Sequence, residues 1–203
     1  MLLALLSIFS GIINYTNSII GPYGYLAILF LIILSSASLP VSSEVVLLIA
    51  GHYVYTGTLN FYLVLITSLA GTAMGIFIDY YIAYFFEKDV VYRHLSTLHI
   101  KKSTLVAFDR WFARNGSMAV FVIRLLPLVR SLISFPAGFA RMDKKKFFAY
   151  SMLGSLIWNT SLILFGEFAS TARNAFVLSF YIAVFAAALI VIYYVIMRHV
   201  KKR

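Results

Sequence analysis

Two arginines, Arg124 and Arg130, stand six residues apart in a stretch that reads FVIRLLPLVRSLISFPAG and is otherwise strongly apolar. A charged side chain at membrane depth is unfavourable by about 2.5–3.5 kcal/mol on insertion scales, so an intramembrane arginine is by default a functional residue. Its guanidinium is always charged, and its planar fork of donors matches a phosphate or a carboxylate two oxygens at a time. The plain alternative is that both arginines snorkel to the membrane surface or cap free carbonyls. Contact with a phosphate head group or a carboxylate is the favoured chemistry. The acid that could answer is Glu44, which is the only carboxylate before Asp79. Following Pro40, Ser42 and Ser43, it belongs in the first turn of a half-helix, where the helix dipole favours its ionised form. Glu44 is expected either to pair with an arginine of an opposing segment or to serve as a proton site. Asp79, near the end of an apolar span and close enough to the surface to snorkel or to pair with a basic residue, is the second candidate for proton coupling.

Other chemistries find less support. His52, His94, His99 and His199 are scattered, and neither H-E-x-x-H nor G-x-S-x-G occurs. With no cysteines, disulfides, thiolate metal sites and cysteine nucleophiles are excluded. No nucleophile–base pair is evident, so the expectation is a protein that is not an enzyme, with no cofactor and no metal site.

These residues must be carried by membrane-embedded helices. The chain is 62% hydrophobic and 12% charged, far from the average of a soluble domain. Its 203 residues suit a single membrane domain over 1–203. Apolar stretches predict four full spans at about 19–38, 61–86, 147–168 and 176–197. The first thirteen residues lack a basic start and a small-residue cleavage site; they read as an interfacial or short membrane helix rather than a signal peptide. Within the polar stretch that follows Glu87, residues 103–116 place Leu105, Phe108 and Phe112 on one helical face and Asp109, Arg110 and Arg114 away from it. This predicts an amphipathic helix on the membrane surface.

The net charge of +10 could suggest nucleic acid, but its distribution argues otherwise. All 17 Lys and Arg lie from Lys88 onward, between or at the ends of apolar segments. That is the positive-inside pattern, and it predicts a plasma-membrane protein with both termini cytoplasmic. No Lys or Arg precedes Lys88, so the orientation of the first half follows from connectivity alone. On that topology the segments 39–58 and 117–140 each enter and leave by one face. They are expected to be re-entrant hairpins, which membranes tolerate only where protein or water satisfies the broken backbone.

The two hairpins resemble each other. One contains LPVSSEVVLLIAG and the other LPLVRSLISFPAG, so that Pro40 precedes Gly51 by 11 positions and Pro127 precedes Gly138 by the same 11. Phe61 and Phe148 follow those glycines at equal distances, each leading into a glycine-containing span. Broken helices repeated in opposite orientations point to a transport site near the midplane. The fold class expected is therefore an all-α integral membrane protein of about four transmembrane helices, two oppositely oriented re-entrant hairpins forming an inverted repeat, and one amphipathic surface helix.

At this level of detail the chain resembles the DedA family, also called the SNARE-associated or VTT-domain family. The match lies on Phe121, Arg124, Pro127, Arg130, Ala137, Gly138, Met142, Phe147, Gly154 and Trp158, with Glu44 at the acidic position of the first hairpin; it covers about residues 20–170. Three departures stand out. Ser35 and Ser36 occupy the region where family members often carry a second acid, Asp79 lies three residues later than the acid usual in the next span, and Gly166 is followed by Glu167 rather than glycine. The resemblance implies a lipid-handling membrane protein that moves polyprenyl phosphates or phospholipids between leaflets, in some members linked to the proton motive force. The function expected is thus a flippase- or scramblase-like transporter of a phosphate-bearing lipid. Glu44, Arg124, Arg130, Pro40, Pro127, Gly51 and Gly138 would form its translocation site, and Glu44 and Asp79 its proton-coupling candidates. Its partners would be a membrane lipid and protons but no nucleic acid, and a homodimer is compatible with it. The rival readings are a proton-coupled transporter of a small soluble ion and a non-transporting membrane-organising protein.

Overall fold

The computed structural model describes residues 2–86, 116–126 and 130–171. These are helical, with no strand among the described residues. In chain order the helices are α1 (Leu2–Ser36), α2 (Ser43–Tyr55), α3 (Phe61–Phe85), α4 (116–124), α5 (Ser134–Phe139) and α6 (Lys144–Thr171). Side chains cap the starts that matter most for the site. Ser42 accepts from the Val45 amide at the head of α2, and Asn60 accepts from the Tyr62 and Leu63 amides at the head of α3. Asp143 does the same for the Lys146 amide at the head of α6.

Among the described residues three helices are long and apolar enough to cross a membrane by length and composition: Asn14–Ser36, Phe61–Phe85 and Lys144–Ser170. They coincide with three of the expected spans. The fourth, at 176–197, lies outside the described residues, as do Pro127 and all but the last residue of the amphipathic helix expected over 103–116.

The first half differs from the expected path. Helix α1 is bent at Gly24, where φ is 50° and ψ is −123°, two residues after Pro22. A side chain is strained in that left-handed region, and glycine is not. From the bend onward α1 runs parallel to α3. Gly24 lies beside Leu59, Gly71 packs on Leu29 and Ile32, and Gly75 packs on Ser36 and Ile33; beyond them Ser38 bonds Asp79. Helix α2 then returns to the end where α3 begins. The Tyr25 hydroxyl accepts from the Asn60 amide at that same end, and Tyr53 donates to Asn17. The segment 39–58 is therefore the returning arm of a longer hairpin. Its descending arm is α1 after Gly24, and its tip is residues 37–42. The span expected over 19–38 is thus present as an apolar helix, but bent at Gly24. The charge pattern could not reveal this, because no basic residue marks either end of α1.

The second half repeats the plan. Helix α4 runs alongside α6, with Phe121 and Arg124 against Gly154, the described tip residues are 125–126 and 130–133, and α5 returns. At the start of α6, Tyr80 of α3 donates to the Met142 carbonyl at 2.6 Å and stacks on Phe147 at 4.8 Å. Lys144 lies over the rings of Tyr81 and Tyr84. The basic turn before α6 and the end of α3 thus lie at one end of the molecule, as the charge pattern predicts.

Two cores hold these pieces. One joins α1, α2, α3 and α6 through Ile28, Ile32, Leu47, Val64, Leu162 and Ile163, among others. The other joins α3, α4, the second tip, α5 and α6 through Ile76, Tyr80, Val120, Ile133 and Phe147. Glycines permit the closest crossings. Gly51 of α2 meets the backbone of Ile163, Gly166 and Glu167, while Gly166 meets that of Leu48. Gly138 of α5 meets Tyr80 and Ala83 of α3. Each returning arm therefore packs against the long helix of the other half. Leu26, Phe30, Ile66, Met74, Leu153 and Ile157 are exposed along the outer faces of the long helices, as lipid-facing residues should be.

Candidate functional site

The two tips meet in the interior. Arg130, from the second tip, is only 6% exposed. One terminal nitrogen donates to the hydroxyl of Ser43, and the other lies 3.5 Å from the side-chain oxygen of Asn159 on α6. Its Nε stands 3.8 Å from Glu44 Oε1, and the guanidinium lies 5.7 Å from the centre of the Trp158 ring. The carboxylate contact is long, so two neutral groups and an aromatic face provide much of the immediate surroundings of this cation.

Each partner is fixed in turn. Glu44 sits in the first turn of α2, as its sequence context implied, and accepts from Ser42 at 3.0 Å and Ser43 at 3.4 Å. The Ser43 amide donates to Ser35 Oγ of α1 at 3.2 Å. The Asn159 amide nitrogen donates to Ser68 at 3.2 Å and lies 3.5 Å from Thr72 Oγ1, both on α3. A largely buried polar network of this kind is stable only when its members are satisfied, and it links five segments of the chain: α1, α2, α3, the second tip and α6.

The second arginine has a different set of partners. Arg124, 2% exposed, donates to Ser134 at 2.8 Å and feels the charges of both Arg130 and Asp79. Asp79 is 1% exposed and accepts from Ser38 at 2.5 Å. It does not reach the surface as its position near a span end suggested. Burial holds it against the tip of the first hairpin instead. Ser38 adopts φ 55°, unusual for a residue with a side chain, which marks the turn as held by its surroundings.

The remaining expected residues divide by role. Pro40 lies exposed in the first tip. Gly51 and Gly138 form the close crossings described above. Ser43, Ser68, Thr72 and Asn159 are direct or second-layer partners of Arg130 beyond those the sequence reading assigned to the site. Their signal was available as small polar residues facing inward from apolar helices, but so common a feature does not say which polar group each will meet.

The polar centre also has a symmetry. Arg130 and Ser43 are separated by 87 residues, and so are Asn159 and Thr72. That is the offset between Pro40 and Pro127. Matching positions in the two halves of the chain therefore touch each other at this site.

The VTT domain model matches residues 39–168, which include most of the first tip, the described residues of the second, α3, nearly all of α6, and every residue of the polar centre but Ser35 and Ser38. The chain belongs to the VTT-domain family. A protein of Staphylococcus aureus named undecaprenyl phosphate transporter A is 34% identical over 152 residues, covering 73% of this chain and 75% of that one. The Lactococcus lactis alkaline phosphatase-like protein is 32% identical over 153 residues, covering 73% and 72%. Protein DedA of Escherichia coli is 26% identical over 151 residues, covering 71% and 68%. No solved structure matches. Family membership and the apolar helices make this an integral membrane protein, and the VTT-domain relatives include named membrane transporters.

Proposed function

We propose that this VTT-domain protein moves a phosphate-bearing lipid, of the polyprenyl phosphate or phospholipid class, from one leaflet of the plasma membrane to the other. The observation that carries the reading is Arg130, a buried cation at the meeting point of two tips, held mainly by neutral partners. An anionic head group entering there would replace hydroxyl and amide contacts with charge-assisted, bidentate ones, which are roughly twice as strong. The exposed apolar faces beside it would let a lipid tail stay in the bilayer. The name of the Staphylococcus aureus relative supports the same substrate class.

The hairpins supply the path. An arm of about 18 Å after Gly24 and a returning α2 of about 20 Å are each shorter than the roughly 30 Å hydrocarbon core. The reading is that both hairpins are re-entrant, from opposite faces, and form an inverted repeat. Contacts between positions 87 residues apart support it, as does the packing of each returning arm on the other half's long helix. The basic turn before α6 is assigned to the cytoplasm. The first hairpin then enters from outside, and rocking of one half against the other would alternate access. Glu44 and Asp79 are the candidates for proton coupling, each touching the first tip.

The test is reconstitution in liposomes with labelled prenyl phosphate, prenyl alcohol and phosphatidylcholine, with and without a pH gradient. Movement of the prenyl phosphate well above that of the alcohol is expected. Equal movement of all three, or of none, would sink the reading. Uptake of inorganic phosphate in place of lipid movement would favour the small-ion transporter. Phosphate release from the lipid would favour the activity named in the Lactococcus lactis relative.

A further inference from the structure

Among the described residues, three buried polar atoms in one region have no hydrogen-bond partner: Arg124 Nε, Ser151 Oγ and Ser155 Oγ. Both serines are fully buried. They lie on one face of α6, on either side of Gly154 in sequence. The stem of Arg124 lies against Gly154, so close that a methyl group there would collide with its Cβ. The arginine therefore lies beside the turn of α6 that carries the serines, with its Nε–H left over after Ser134 has taken another of its donors.

The unmet serines are unusual even within their own helix. A helical serine ordinarily satisfies itself by donating to the carbonyl one turn back. Ser161 does so to Ile157 at 2.7 Å, and Ser170 to Gly166 at 2.7 Å. Ser151 and Ser155 hold their hydroxyls away from such bonds. Leaving a buried polar group unpaired is unfavourable, and each instance in a native structure calls for a reason. Here all three groups can donate, and one belongs to a cation. Their complement is an oxyanion, with several acceptor oxygens and negative charge.

We propose that Arg124 Nε, Ser151 and Ser155 form a second anion subsite for a phosphate group, separate from the contacts that hold Arg130. It lies among α4, the start of α5 and α6, toward the basic end of the molecule. This deepens the lipid-phosphate reading and rests on it. The head group would be passed between Arg130 and Arg124 during crossing, with the two serines supplying specificity at the cytoplasmic stop. The shared chemistry is a phosphate oxyanion, borne either by a lipid or by the free ion.

The experiment measures thermal stability of detergent-solubilised protein against rising concentrations of a short-chain prenyl monophosphate, the matching prenyl alcohol and inorganic phosphate. Wild type is compared with Ser151→Ala, Ser155→Ala and the double variant. The double variant should be as stable as wild type without ligand, or more so, because two unpaired buried hydroxyls are gone. Half-maximal stabilisation by the prenyl monophosphate should need at least tenfold more ligand, with smaller shifts for the single variants. Unchanged ligand response in the double variant would overturn the subsite and leave the lipid reading standing. Lower unliganded stability, or failure to fold, would mark both serines as packing residues and also overturn it. A serine-dependent response to inorganic phosphate but not to the prenyl monophosphate would keep the subsite and remove the lipid. No response of wild type to either phosphate would remove both.

Discussion

Arg130 and Asp79 are both buried, yet their surroundings make opposite predictions. Arg130 has neutral partners that an anion can displace, and its nearest carboxylate, Glu44, is 27% exposed and 3.8 Å away. Glu44→Gln should therefore change stability little while lowering transport about tenfold or more, because an intramembrane acid of this kind tunes the site rather than the fold. A purified Glu44→Gln protein with wild-type transport rates would contradict this. Asp79 is 1% exposed and bonded to the first tip. Asp79→Ala leaves the Ser38 hydroxyl unpaired and the buried Arg124 charge less compensated, so it should destabilise the fold by about 1–3 kcal/mol. Denaturant unfolding in detergent measures this, and an unchanged midpoint would place Asp79 outside the structural framework. From sequence, Asp79 reads as an acid that either snorkels or pairs with a basic residue, because only its distance from the span end is visible there. Its burial depends on where α1 ends, which local sequence does not reveal.

At the scale of elements, the returning arms depend on glycine. Gly51→Ala would push a methyl group into the Ile163 carbonyl and the backbone of Gly166 and Glu167. Overpacking of this kind costs about 1–3 kcal/mol, and the expected result is a lower melting temperature with α2 displaced from α6. A thermal melt matching wild type would mean that the crossing is looser than described. Much of the element plan was legible in the sequence: α3 and α6 from apolar length, the Glu44 half-helix from Pro40 and its serines, and the matching second hairpin from Pro127 and Gly138. The descending arm of the first hairpin was not. The bend at Gly24 follows the breakers Gly21 and Pro22, but no charge marks it and the apolar residues run on past it, so the stretch reads as one span. Single cysteines test the revised path cleanly in a chain that has none of its own. Tyr23→Cys and Thr58→Cys should label from the same side of the membrane and Lys145→Cys from the other. Labelling of Tyr23→Cys and Thr58→Cys from opposite sides would show that the first hairpin crosses the bilayer.

Among the described residues, Arg130 of the second tip reaches Ser43 at the first, and α2 and α5 each lean on a long helix from the other part of the chain. Such an arrangement can move as two bodies about the polar centre where Arg130 meets Ser43 and Asn159 meets Thr72. Far from that centre, His52 of α2 lies 2.9 Å from Ser170 of α6. Joining cysteines at these two positions with a reducible bifunctional reagent should stop transport, and reduction should restore it. Unimpeded transport by the cross-linked protein would mean that the halves need not separate at that end. The central claim is that a guanidinium between the tips grips a lipid phosphate as it crosses, and Arg130→Lys tests it most directly. Lysine keeps the charge but loses the planar pair of donors. The measurement is the rate of labelled prenyl phosphate movement in liposomes containing wild type or Arg130→Lys, at equal amounts of folded protein. The account predicts a loss of about tenfold or more; a wild-type rate with Arg130→Lys would contradict it.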